Sequence, residues 1–530
     1  MIADLGGRRR ALAVVGVVVP ALVLGAAPAH AERYAVAEQP PAVKALSWED
    51  CAGNAELKCA SLDVPLEHAD PEGDHATLAL VKAPARTPSE RLGSLVVNRG
   101  GPGFSTTEYL ELIKAKQLPA PWDDRVWDRY DVIGLDQRGV GKATPAVTCF
   151  ATPEAAAAFG AGVPTVPVSP SEVMKRAAKD AEFATGCRKH SGKLLDHLST
   201  AAVARDLDLV REALGEQRLN FLGQSYGVAL GTVYANLFPQ RVGSFVLDSV
   251  LNPANTTTGP VGSVPSERIG SDTSTRDVMR EFLRLCAQGK SCQFAKYGPH
   301  AHDELLTKLR DKPLALTTPD GKEVSLTYSK LVVYIGGRLY QTKAWSGIDY
   351  MLDLTHRALA EPTGQAASDL AQVVAFMDEY EPDNPYNELT PAYSAFTCND
   401  DDTSKFALAW WAAAERRERI AAHFATLRAY ETSQCASWAG RPKERYTGPW
   451  KAKTEKPVLI LNNRFDPATP LSGALDLSRT LNSRLLITEG WGHITTQQST
   501  CAITATSDYL VTGALPKPGA TCEPDVIPFS

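Results

Sequence analysis

Gly223-Gln224-Ser225-Tyr226-Gly227 is the segment of this chain best suited to chemistry. A serine between two glycines, behind an apolar run and ahead of a helical one, fits a sharp strand-to-helix turn. Such a turn lifts the hydroxyl above a sheet, and glycines on both sides relieve its crowding. The following helix aims its positive end at charge developing on the hydroxyl. Serine alone is a weak nucleophile. It needs a base, and the base needs a carboxylate to orient it.

In folds built on this turn the chain order is Ser, acid, His. His68, His75, His190 and His197 precede the serine, and His300, His302, His356 and His423 fall in a stretch of different pattern. His493 follows a late apolar run in the loop Glu489-Gly490-Trp491-Gly492-His493 and is the candidate base. Asp466, in Asn463-Arg464-Phe465-Asp466-Pro467 directly behind Val458–Leu461, is the candidate acid. Asp476 is a poorer second, because it sits in a helical pattern. Acyl transfer also needs backbone donors for an oxyanion. The N–H of Tyr226 is one candidate. The loop Asn98-Arg99-Gly100-Gly101-Pro102-Gly103 supplies the other through Gly101, since Pro102 has no N–H.

These residues require a sheet to hold them. Ala60–His68 and Ala76–Ala83 alternate as antiparallel strands do, whereas Ser94–Val97, Asp131–Leu135, Leu219–Leu222, Ser244–Leu247, Val458–Leu461 and Leu485–Thr488 read as buried parallel strands. Helical periodicity over Ala201–Leu214 and Val228–Phe238 falls between them. The expected fold is α/β: a mostly parallel sheet with helices on both faces. From about 250 to 450 the alternation stops, and Arg276–Cys286, Ser346–Ala360, Ala366–Tyr380 and Lys405–Tyr430 read as helices. That stretch would form a lid inserted between the sixth and seventh strands of the series. The expected division is a leader over 1–31, a core over 32–250, a helical lid over 251–450 and a second core segment over 451–530 carrying acid and base.

Arg8–Arg10, the apolar run Ala11–Ala27 and Ala29-His30-Ala31 match a secretory leader cut after about residue 31. Removing it takes away Asp4 and three arginines and moves the net charge from −6 to −8. Acidity of this order argues against nucleic acid or an anionic membrane as partner. The ten cysteines all lie beyond the leader, and an exported chain favours disulfides. Pairing in chain order gives five short loops: 51–59, 149–187, 286–292, 398–435 and 501–522. No cysteine–histidine spacing suits a metal, and no cofactor is expected.

Gly100–Gly103 and Asp136-Gln137-Arg138-Gly139-Val140-Gly141 resemble proline iminopeptidase-like α/β-hydrolases. Leu222–Gly227, Phe238-Pro239, Val246-Leu247-Asp248, Cys398-Asn399-Asp400, Arg464–Pro470 and Gly492-His493 resemble the secreted tripeptidyl aminopeptidases of actinomycetes. The resemblance implies the α/β-hydrolase fold and an exopeptidase that releases short peptides, tripeptides in the first place, from free N-termini. The acyl-transfer chemistry requires no cofactor, and the sequence leaves the oligomeric state open, with a monomer expected. Arg138 is expected to pair with a carboxylate beneath the site as a structural element. A substrate ammonium needs an acidic partner. Asp378, Glu379, Glu381, Asp383, Glu388, Asp400, Asp401 and Asp402 cluster near the lid's end, and Asp400 occupies the family's acidic position. The loop departs from the iminopeptidases in having Asn98-Arg99 in place of their usual histidine, so proline specificity does not transfer. An esterase or small-molecule amidase on the same triad is the alternative, and a non-catalytic binding protein the third reading.

Overall fold

The computed structural model describes residues 44–530 apart from Val261, Glu381, Glu388, Leu389, Thr403 and Ser404. The leader, Glu381 and Glu388 therefore lie outside the described residues. Ten strands form one sheet in the order β1-β2-β3-β5-β4-β6-β7-β10-β11-β12. They are β1 (Glu49–Cys51), β2 (Asn54–Pro65), β3 (His75–Ala83), β4 (Gly93–Asn98), β5 (Tyr130–Asp136), β6 (Leu219–Gln224), β7 (Val242–Asp248), β10 (Val458–Phe465), β11 (Ser483–Trp491) and β12 (Thr521–Cys522). The pairs β1–β2, β2–β3 and β3–β5 are antiparallel, and every pair from β5 to β12 across the sheet is parallel.

Alternate residues of the central strands serve two different cores. Leu95, Val97, Val132, Leu222, Val246, Leu459 and Leu461 pack against Leu110, Val126, Tyr509 and Leu510 on one face. Val96, Ile133, Phe221, Leu247 and Ile460 pack on the other face against Val203, Leu207, Val210, Val228 and Val233. Because both faces are covered, these strands read as continuous apolar runs rather than as an alternation. Local signals set the flanking helices. The Ser199 side chain accepts from Ala202 N–H to start Thr200–Ala213, and Ser169 with Glu172 forms a capping box on Pro170–Ser191.

The chain leaves the sheet after Asp248 and returns at Val458. Between them lie helices that share a separate core around Phe282, Leu331, Ile335, Trp345, Leu352 and Leu370. Within this mainly helical stretch lies a hairpin, β8 (Leu314–Thr317) paired with β9 (Glu323–Leu326). One reading of the stretch needs correcting. Lys405–Tyr430 is two helices, Leu408–Glu418 and Phe424–Tyr430, separated by a break at which His423 adopts φ 68°. The five disulfides pair Cys51–Cys59, Cys149–Cys187, Cys286–Cys292, Cys398–Cys435 and Cys501–Cys522, in chain order. Arg138 is fully buried, and its guanidinium meets Asp206 at 2.6 Å and 2.7 Å. Breaking one half of such a pair costs about 3–5 kcal/mol.

Candidate active site

β6 ends at Gln224, and the next helix, Tyr226–Leu237, begins one residue later. The intervening Ser225 holds φ 58° and ψ −117°, a conformation that L-residues other than glycine rarely adopt. The backbone leaves no room for side chains beside it. A Cβ on Gly223 would lie 2.3 Å from Gly227 O, and one on Gly227 would lie 2.6 Å from Asn98 O. The elbow is held from below by Ser225 N–H, which donates to Asp248 O at 3.0 Å.

The loop after β4 runs against the elbow. A Cβ on Gly100 would be 3.0 Å from both Ser225 Cβ and Tyr226 N. Gly101, at φ 113°, follows. Among the described residues no acceptor engages the N–H of Gly101 or of Tyr226. Both are therefore open to an oxyanion beside Ser225, as an acyl-transfer site requires.

Asp466 follows β10 and is fully buried. Its Oδ1 accepts from Ala468 and Thr469 N–H at 2.9 Å each, and its Oδ2 from Thr469 Oγ1 at 2.8 Å. The same Oδ2 lies 2.8 Å from His493 Nδ1. A carboxylate only accepts, so Nδ1 carries the proton and Nε2 keeps its lone pair for use as a base. His493 N–H donates to Tyr340 O at 2.7 Å, and the Tyr340 ring stands edge-on to the imidazole at 5.2 Å. No hydrogen bond joins Ser225 Oγ to His493 in this arrangement. In unliganded hydrolases that contact commonly tightens only with substrate bound.

What ties the two loops together is Asp248 at the end of β7. Its carbonyl takes the Ser225 N–H. Its carboxylate takes Thr495 N–H at 2.9 Å, Thr496 N–H at 3.1 Å and Thr496 Oγ1 at 2.8 Å, just beyond His493. Burial pushes this carboxyl above the usual range, opposed by those hydrogen bonds.

A cleft opens beside the elbow, lined by Gly101, Tyr226, Thr200, Asp400, Tyr393 and Glu431. Asp400 accepts both the N–H and the hydroxyl of Thr200, and that hydroxyl also meets Tyr226 OH at 2.9 Å. Burial pushes Asp400 up to about 6. Glu431 is held by Arg428 at 2.6 Å. Arg428 also reaches Tyr340 OH and Pro467 O, and so joins the cleft wall to the Asp466 loop.

Other acids of the cluster are engaged elsewhere: Asp378 with Lys330, Asp383 with Thr165 N–H, Asp401 with Arg268 and Asp402 with Arg445. Asp476 is exposed and pairs with Arg479. Sequence reading missed Asp248, Tyr340, Thr469 and Glu431 as parts of the site. For Thr469 a signal existed, since Asp466-Pro467-Ala468-Thr469 is an Asx-turn pattern. For Tyr340 and Glu431 nothing local marked them out.

The family models for "alpha/beta hydrolase fold" and "TAP-like protein" match residues 93–296 and 421–522. A tripeptidyl aminopeptidase of Streptomyces coelicolor is 30% identical, covering 94% of this chain and 90% of its own length. The chain belongs to the tripeptidyl aminopeptidase family of α/β-hydrolases. It is a serine hydrolase. Other members similar to it are the serine protease Hip1 of Mycobacterium tuberculosis, 29% identical over 91% of this chain and 92% of its own, and a carboxylesterase B of the same organism, 30% identical over 90% of each. No helix among the described residues is long and apolar enough to cross a membrane.

Proposed function

We propose that the chain is an exported serine exopeptidase releasing short peptides, tripeptides in the first place, from free N-termini. The observation that carries this reading is Asp400. It lines the cleft beside Tyr226, it receives neutral donors from Thr200, and burial, with the charge of neighbouring Asp401, raises it to about 6 against those hydrogen bonds. A half-buried carboxylate whose hydrogen-bond donors are neutral is stabilised by an arriving ammonium. Glu431 on the same wall adds negative charge, offset by Arg428. The names of the relatives, tripeptidyl aminopeptidase and serine protease, support a peptide substrate. The five disulfides support export to an oxidising compartment.

In this mechanism His493 Nε2 takes the Ser225 proton while Oγ attacks the scissile carbonyl. Gly101 and Tyr226 N–H groups hold the oxyanion. Asp466 stabilises the imidazolium. His493 then gives its proton to the leaving amine, and water cleaves the acyl-enzyme by the same route. The lid, residues 251–450, closes the cleft and sets how much of the peptide fits beyond Ser225.

The similarity to carboxylesterase B favours a second reading, an esterase or small-molecule amidase on the same triad. Turnover of a tripeptide p-nitroanilide with a free or acetylated N-terminus separates the two. The peptidase loses most of its kcat/KM on acetylation. Equal rates, with faster cleavage of short acyl esters, would make it an esterase.

A further inference from the structure

Arg99 lies inside the oxyanion loop, immediately before Gly100. Its guanidinium stacks over Phe104 at 4.5 Å and over Tyr109 at 5.0 Å. It makes no hydrogen bond or ion pair with another described residue, whereas the buried or half-buried Arg138, Arg176, Arg268 and Arg417 each hold a carboxylate. Two rings thus flank a cation whose five N–H donors meet no acceptor among the described residues. Phe104 is 37% exposed, so the bracket opens to solvent.

Its side of the serine is defined by its contacts. The cleft with Asp400 is lined by Gly101, Pro102 and Tyr226, but not by Arg99, Phe104 or Tyr109. Tyr109 OH donates to Gln224 Oε1 at 3.2 Å, and Gln224 Nε2 reaches Thr496 Oγ1, three residues beyond His493. The arginine therefore stands toward the base loop, away from the cleft proposed for the acyl part. His493 protonates the leaving amine, so the leaving fragment emerges on the base side.

We propose that Arg99 binds the α-carboxylate of the leaving fragment, so that the enzyme favours short peptides whose C-terminus lies close behind the scissile bond. This rests on the peptidase reading above. A guanidinium presents two parallel N–H groups in the fork that a carboxylate accepts. Together with Asp400 it gives the site opposite charges at opposite ends, matching a zwitterionic oligopeptide.

The test compares tri-alanine release from tetra-alanine and from tetra-alanine amide, with tri-alanine p-nitroanilide as reference. The wild type should prefer the free acid by roughly tenfold in kcat/KM, the scale of one charge-assisted pair. Arg99→Gln should bring that ratio close to one. Arg99→Lys, which keeps the charge but not the fork, should leave an intermediate ratio. Thermal unfolding of each variant accompanies the kinetics. A wild-type ratio near one, or a ratio that survives Arg99→Gln, overturns the inference while leaving the peptidase reading intact. Failure to cut any of the three substrates overturns both.

Discussion

Asp248→Asn should misplace the base without touching it. The carboxylate of Asp248 accepts three hydrogen bonds from Thr495 and Thr496 and its carbonyl accepts a fourth from Ser225. Asparagine fills the same volume but turns one acceptor oxygen into an NH2 donor. Whichever oxygen is replaced, one backbone N–H, of Thr495 or Thr496, then faces a donor. Orphaning a buried donor costs about 1–3 kcal/mol, toward the upper end when the lost acceptor was charged. The loop can recover part of this by moving, and the group it carries is His493. A displacement near 1 Å in such a group costs roughly a hundredfold in rate. We therefore expect kcat for tripeptide p-nitroanilide to fall by about ten- to a hundredfold, with KM little changed and unfolding about 2 kcal/mol easier in denaturant. Phosphonylation of Ser225 should slow in parallel. A variant with wild-type kcat and an unshifted unfolding midpoint would refute the assignment of Asp248 as the link between the two loops.

Asp466→Asn, which removes the acceptor facing His493 Nδ1 at 2.8 Å, should lower kcat by roughly four orders of magnitude with the fold intact by circular dichroism. Asp400→Asn should raise KM for the free-amine anilide and bring its kcat/KM close to that of the acetylated form. The ratio of those two kcat/KM values should itself fall as pH drops through about 6, because Asp400 becomes neutral there; taking the ratio cancels the titration of the triad, and Asp400→Asn should flatten it. Replacing Cys398 and Cys435 with serine opens a closure spanning 37 residues. It should cost about 4 kcal/mol in unfolding free energy and raise KM for free-amine substrates, since this disulfide anchors the helix that ends in Asp400.

The candidate triad was legible because each member sits within two residues of the end of a sheet strand whose apolar run and turn residues are visible locally. Ser225 follows β6, Asp466 follows β10 and His493 follows β11. The same locality made the sheet readable from β2 to β11 but not its edges, where β1 and β12 are three and two residues long. The β8–β9 hairpin was overlooked although Leu314-Ala315-Leu316-Thr317 alternates and Pro319-Asp320-Gly321 marks a turn. Strong helical periodicity on both sides masked it. The break before Phe424 left no proline or glycine as a sign; His423 takes the left-handed conformation itself and meets Tyr328 OH through Nδ1. Asp248, Tyr340, Arg428 and Glu431 acquire their places only through contacts between segments up to 248 residues apart. No window of sequence contains both partners of such a contact.

The central claim is that Ser225 is a nucleophile activated by His493 and Asp466. Labelling the purified protein with a fluorophosphonate, followed by peptide mapping, tests it most directly. The account predicts one adduct per chain, on Ser225, formed far more slowly in His493→Ala and absent in Ser225→Ala together with all hydrolysis. An adduct on another residue, or Ser225→Ala protein that hydrolyses the anilide at the wild-type rate, would contradict it.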